Sequence, residues 1–294
     1  MRSAQRFIPA VLAMAFWATN FAFSPVVLDA VGAIQLTGSR WFIAIIVLIP
    51  LALITEKVTR AVIVGEWKIH VVQALLGYVG YTLLLYYALG VTSPVTASVL
   101  VALNPATIAI AARFILHENM SVNTIVGIAI SIVGALVVVF GGGIAGGFAF
   151  SYGDVLLLIA TVMWTAYSML APRVQTPPIT ATAVQATISG IIMIPFMAID
   201  IAWGNTAWFT MDGFDWLGVL WIGLIPSAGA YFLWNISSDW IGPTRTGAFL
   251  NIIPVFTALF VVAFGGSVTP TQVLGGALVL AGVSYANRTA KVAK

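Results

Sequence analysis

No cysteine occurs among the 294 residues, which excludes disulfides, thiol catalysis and thiolate metal sites. Charge is almost as scarce: 7% of residues are Asp, Glu, Lys or Arg, against about a quarter in water-soluble domains. With 61% hydrophobic residues beside that deficit, a water-soluble globular chain is excluded and a lipid bilayer becomes the solvent. The 12 basic residues are scattered between apolar stretches and form no basic face for nucleic acid. The middle of those stretches lacks acids: each Asp and Glu falls at or near an end, and His70 and His117 lie near one boundary. An intramembrane enzyme needs paired aspartates, a Ser/His arrangement or a metal cluster at that depth. A proton relay needs a carboxylate there, and a channel needs a continuous polar lining. None of these is visible, so neither metal nor cofactor is expected.

What is present is length of apolar chain. A helix crosses the hydrocarbon with about 20 apolar residues, and ten such stretches lie near 7–28, 34–55, 69–90, 93–115, 121–141, 152–172, 178–199, 214–237, 243–264 and 270–287. The sequence therefore predicts an all-α integral membrane protein of ten transmembrane helices. Arg2 and Arg6 precede the first stretch as in a signal peptide, but the run is too long and lacks a cleavage site, so a retained helix is expected. Arg2, Arg6, Lys57, Arg60, Lys68, Arg113, Arg173, Arg245, Arg288, Lys291 and Lys294 share one side of this arrangement and Arg40 the other. The positive-inside rule then places both termini in the cytoplasm.

The chain also repeats itself. Pro94 and Pro105 return as Pro243 and Pro254, both shifted by 149 residues, and Trp17 and Pro25 return as Trp164 and Pro172, shifted by 147. Pro50 answers to Pro195, Gly127 to Gly275, and Gly134 to Gly282. The reading is two units, 1–141 and 152–294, joined by a Gly-rich linker at 142–151 that continues the GGGIAGG run. Five helices is an odd number, so the second unit enters the bilayer from the opposite side. Inverted repeats of this kind supply two related conformations, the basis of alternating access in many carriers.

Aromatic and amide side chains occupy the middle of the spans. Trp17 and Asn20 lie three apart on one helical face, and Trp164 and Tyr167 repeat the arrangement. Both tryptophans sit about ten residues from their helix ends, roughly 15 Å deep, too deep for an interfacial belt; plain bundle packing is the alternative. Tyr78 and Tyr81 share a face, and Tyr231, Trp234 and Asn235 cluster on the eighth stretch. Such walls suit an indole or phenyl ring, or a planar cation. Asn104 and Asn251 stand near Pro105 and Pro254, whose missing N–H groups free carbonyls that can hold an ammonium, or the asparagines serve only to satisfy those carbonyls. Pro25, Pro105, Pro172 and Pro254 are the expected kinks or gates. Arg40 is positioned to pair with a substrate carboxylate, with Asp29, or with lipid headgroups. Gly127, Gly134, Gly275 and Gly282 point to close helix packing, either between the fifth and tenth helices or with another protomer.

The segments WATNFAFSP (17–25), LTGSRW (36–41) and FILHENMSVNTIVGIAISIVGALVVV (114–139), in that order across ten spans, resemble the drug/metabolite transporter superfamily and its EamA-type exporters. Glu118 stands where that family has a Gly-Glu pair, with His117 in place of the glycine, and the second unit has GGS (265–267) there without a glutamate. The abundance of mid-membrane aromatics is most similar to the bacterial exporters of aromatic amino acids. The resemblance implies a secondary carrier in the bacterial inner membrane, surrounded by lipid, with a small-molecule substrate and a monomeric functional unit or a homodimer. Aromatic and other neutral amino acids are the substrates it implies; planar cationic drugs, sugars and nucleotide bases are the alternatives.

Overall fold

A run of 48 helical residues, Ile8–Thr55 (α1), opens the fold. At about 1.5 Å per residue it would reach about 72 Å, more than twice the roughly 30 Å of hydrocarbon. It is broken once, at Gly32, where φ is 74° and ψ 166°, a left-sided backbone that glycine alone adopts without a Cβ clash. The arms 8–31 and 33–55 correspond to the first two expected stretches. Pro25, an expected kink, and Pro50 both lie inside α1, and the backbone keeps helical φ/ψ at each. A proline forfeits one backbone bond, yet its own φ is already helical.

This computed structural model describes residues 3–115, 117, 121–140, 151–204, 208, 211–241, 246 and 248–287. The linker 142–150, Glu118, Pro243, Arg245 and both termini lie outside them. After α1 come a short helix, Arg60–Gly65, and then α2 (Trp67–Leu89), α3 (Pro94–Ile115), α4 (Val122–Phe140), α5 (Tyr152–Arg173), α6 (Pro178–Ala202), α7 (Gly213–Ser237), α8 (Phe249–Ala263) and α9 (Pro270–Asn287). No strand occurs among the described residues. Six helices are long and apolar enough to cross a membrane, namely the run Gln5–Thr55 with α2, α3, α5, α6 and α7, and two shorter apolar helices lie within α4 and α8. Ile46, Leu53, Ile54, Phe114 and Leu217 are exposed on the outside, where a water-soluble fold would bury them.

Local chemistry sets the helix starts. Ser93 and Pro94 open α3, Ser151 and Asp154 form a capping box on α5, and Asp212 and Asp215 form one on α7. The start of α6 is capped from elsewhere: the Glu56 carboxylate, just past α1, accepts from the amides of Ile179 (3.0 Å) and Thr180 (2.7 Å). A negative charge there meets unpaired N–H groups and the positive end of the helix dipole.

Both halves share two irregularities. α3 is interrupted by a turn at Ala102 and Leu103 just before Pro105, and a 3-10 stretch, Ala248–Ile252, precedes Pro254. Each proline thus begins the helical segment after the interruption, while Pro172 ends α5 in a 3-10 turn, Ala171–Arg173, rather than bending it. Both α2 and α7 wind for seven residues as π-helix, Ala74–Gly80 and Gly223–Gly229, and the offset between them (223 − 74 = 149) is that of the prolines.

The four packing glycines meet across α4 and α9 in crossed order. A Cβ on Gly127 would lie 2.5 Å from the Gly282 carbonyl oxygen, and one on Gly134 would lie 2.6 Å from that of Gly275. Ser131, midway, donates to the carbonyls of Gly127 (2.9 Å) and Val279 (3.3 Å). Since Gly127 corresponds to Gly275 and Gly134 to Gly282 in the repeat, each contact is the image of the other under a two-fold exchange of the helices.

Candidate functional site

The two arms of α1 meet α2, α3, α5, α7 and α8 around an internal cavity. Its walls are Trp17, Asn20, Phe21, Arg40 and Trp41 of α1, Tyr81, Thr82 and Leu85 of α2, and Ser98, Val101, Ala102 and Asn104 of α3. Trp164 of α5, Tyr231 of α7, and Leu250 and Ile253 of α8 complete it. Water centres can reach about 60 Å³ of this space, room for about four to six molecules.

Arg40 dominates the electrostatics. It is 5% exposed, and among the described residues it pairs with no carboxylate. Asp29 is exposed and is not its partner, nor does the side chain snorkel. Instead Nε donates to Ser227 Oγ at 2.8 Å and Nη1 to Tyr86 Oη at 2.7 Å. Tyr86 Oη donates in turn to Asn20 Oδ1 (2.9 Å), which also accepts from Ser24 (3.3 Å). The guanidinium lies 4.8 Å from the Trp41 ring centroid and 5.5 Å from that of Tyr86, close enough for cation–π attraction in a dry setting. Two hydrogen bonds leave a guanidinium, which has five N–H donors, with spare capacity.

The aromatic candidates divide into a lining layer and a supporting one. Trp17 meets Tyr231 edge-on at 5.5 Å and leans on Trp234 at 5.4 Å, and Tyr81 meets Trp164 at 5.0 Å. Tyr167 backs Trp164 at 5.2 Å, and Tyr78 sits 4.5 Å from Trp41 and 5.8 Å from Tyr231. The structure therefore brings Trp17, Asn20, Arg40, Tyr81, Asn104, Trp164 and Tyr231 onto the cavity, and places Tyr78, Tyr167 and Trp234 behind it. Tyr78 and Tyr81 do not share the expected wall, because the π turn between them carries an extra residue and rotates the three-residue register. Asn235 is half-buried away from the lining, and Asn251 is buried beside it. The carboxamide oxygens of both Asn104 and Asn251 are buried without a hydrogen-bond partner. Trp41, Tyr86, Thr82, Ser98 and Ser227 escaped the sequence reading. Trp41 had a usable signal in its place beside Arg40, whereas the other four sit in unremarkable apolar runs.

The two halves are also clasped at one end of the bundle. Glu66 accepts from the Gln175 amide (2.7 Å), the Thr176 amide (2.8 Å) and the Thr176 hydroxyl (2.6 Å). The hydroxyl contributes most, and with the amides it holds the Glu66 carboxyl below the usual carboxylate range against the opposing cost of burial. Since Thr176 spends its proton on Glu66, His70 Nε2, at 3.1 Å, is the donor to Thr176 Oγ1, and Nδ1 faces the Gln185 amide at 3.4 Å. At the other end Gln35 binds the Met197 carbonyl and Asp200, both at 3.0 Å, and accepts from Trp208 Nε1 at 2.9 Å.

Comparison with known proteins gives a consistent setting. The EamA-like transporter family matches residues 7–140 and again 151–288. "Uncharacterized transporter YyaM" of Bacillus subtilis (strain 168) is 28% identical over 262 residues, covering 87% of this chain and 84% of its own. A "Probable terminal-alkyne amino-acid exporter" of Streptantibioticus cattleyicolor is 27% identical over 285 residues, covering 95% and 92%. "Aromatic amino acid exporter YddG" of Ancylobacter novellus is 24% identical over 247 residues, covering 81% and 82%.

Proposed function

The chain belongs to the EamA-like transporter family, and from that premise we propose that it exports aromatic and other neutral amino acids across a bacterial inner membrane by alternating access. It is a multi-pass membrane transporter, not an enzyme. The finer reading rests above all on one observation: a cavity walled by Trp17, Trp41, Tyr81, Trp164 and Tyr231 that holds the buried, acid-free cation Arg40. Stacking and edge contacts, each worth about 0.5–1.5 kcal/mol, favour a phenyl or indole ring, while the guanidinium favours a carboxylate. A planar cation would meet a like charge, which weighs against that alternative.

In this reading ten helices form two inverted five-helix repeats, 1–141 and 152–294, with 142–151 as linker and both termini in the cytoplasm. The crossed glycine contacts of α4 and α9 support an inverted relation between the halves. The Glu56 and Glu66 clasp lies at the end that the charge distribution assigns to the cytoplasm. Substrate enters when the halves rock and widen the cavity, and it leaves on the other side when they rock back. No carboxylate lines the cavity among the described residues, which favours transport down the substrate gradient, and the functional unit in this reading is the monomer, alone or within a homodimer.

Uptake of labelled tryptophan, phenylalanine and alanine into liposomes holding only the purified protein tests this. Saturable aromatic uptake, insensitive to an imposed pH gradient, is expected. Absence of flux for all three would overturn the substrate reading, and dependence on the gradient would overturn the uncoupled mechanism.

A further inference from the structure

The cavity carries two unmet polar demands of opposite kind. Arg40 is a buried cation with donors to spare and no carboxylate partner among the described residues. Asn104, 4% exposed and on the same lining, has a carboxamide oxygen with no hydrogen-bond partner. Asn20, the other amide in the lining, is already engaged by Tyr86 and Ser24. Buried groups left in this condition are costly to the fold, and they persist where a ligand completes them. Aromatic side chains line the same cavity.

We propose, resting on the amino acid reading above, that the cavity recognises its substrate as a zwitterion: Arg40 takes the carboxylate and Asn104 Oδ1 accepts from the ammonium. Two-point recognition explains why the site needs no acidic residue. An amine without a carboxylate meets the charge of Arg40 unopposed. A carboxylate without an ammonium satisfies Arg40 but leaves the Asn104 oxygen orphaned. The interrupted backbone at Ala102 and Leu103 delivers Asn104 to the wall, so the helix break before Pro105 acts by aiming a side chain.

The test is competition against labelled tryptophan uptake by unlabelled tryptophan, tryptamine and indolepropionate, which share the indole and differ in the two charged groups. For the native protein, indolepropionate should compete about 10- to 100-fold more weakly than tryptophan, the value of one hydrogen bond to a charged group, and tryptamine more weakly still. In Asn104→Leu, of similar volume, tryptophan should weaken while indolepropionate does not, so that their ratio collapses toward one. Equal competition by all three ligands in the native protein, which needs no variant to fold, overturns the zwitterion assignment and leaves the aromatic carrier standing. An unchanged ratio in a transporting Asn104→Leu protein overturns the role of Asn104. Absence of tryptophan flux altogether removes the amino acid reading and this proposal with it.

Discussion

Replacing Gly134 by alanine puts a methyl group where the α4–α9 contact has no room. Its Cβ would stand 2.6 Å from the Gly275 carbonyl oxygen, 2.7 Å from the Val279 nitrogen and 2.8 Å from Leu278 Cβ, whereas ordinary contact begins near 3.4 Å. Two of these neighbours are backbone and cannot rotate away, so the helices must part by about 0.8 Å (3.4 − 2.6) at that crossing. Overpacking of this kind costs about 1–3 kcal/mol, and a radial gap of that size forfeits roughly a quarter to a half of each neighbouring dispersion contact. A loss of about 2–3 kcal/mol is therefore expected, read as a lower midpoint of unfolding by denaturing detergent titrated into mild micelles. The diagnostic step is the double variant. Gly134→Ala with Gly275→Ala strikes one crossing twice, so the second methyl enters space already opened and the pair should be non-additive by about 1 kcal/mol or more. Gly134→Ala with Gly127→Ala strikes two crossings about 10 Å apart along the helix and should be nearly additive. Equal additivity in both pairs would refute the crossed register, and unchanged midpoints in the single variants would refute the contact itself.

Trp17→Ala and Trp164→Ala should each lower kcat/KM for tryptophan at least tenfold while the protein still elutes as a folded species; normal flux in both would dismiss the aromatic wall. Tyr86→Phe removes the hydroxyl that links Arg40 to Asn20 and should cost about 1–3 kcal/mol of stability, whereas no change in the unfolding midpoint would mean that the bridge is idle. Glu66→Gln should hasten trypsin cleavage after the exposed Arg173 at neutral pH, and an unaltered rate would show that the clasp does not restrain that loop. Folded Glu66 titrates below its unfolded value of 4.5, so the clasp is at full strength above that pH and is lost only as pH falls through the lowered value. Emission of neighbouring Trp67 should therefore hold steady from neutrality to about pH 5 and change only in stronger acid; a transition near pH 6 would contradict the assignment.

Much of the architecture was legible because hydrophobic length is a coarse and robust signal. Most of the expected stretches coincide with helices, and the proline offsets match the spacing of the two π turns (223 − 74 = 149). What could not be read is geometry that depends on one residue. Gly32 carries the turn between the first two stretches, but a glycine in an apolar run has no mark that separates a turn from a tight packing point. The π turns were invisible because apolar periodicity assumes an α-helical register, and that assumption misplaced Tyr78. Arg40 was singled out by its rarity as an outer-side cation, yet its partners come from α2 and α7, 46 and 187 residues away. Single-sequence spacing has no access to such pairs. The glycine spacing likewise pointed to close approach without saying which glycine meets which.

The two π turns speak to ancestry. A π turn is an α-helix carrying one inserted residue, and here both halves carry it at the same place, Ala74–Gly80 and Gly223–Gly229. The simplest history is a single insertion in the ancestral half-length gene, copied when that gene doubled. Since then ALLGYVG and GLIPSAG have drifted until only two of seven positions agree, and one copy has gained Pro226. The bulge itself outlasted most of the letters that first encoded it. In this lineage the memory of the duplication is kept more faithfully in the winding of the backbone than in the alphabet of the side chains.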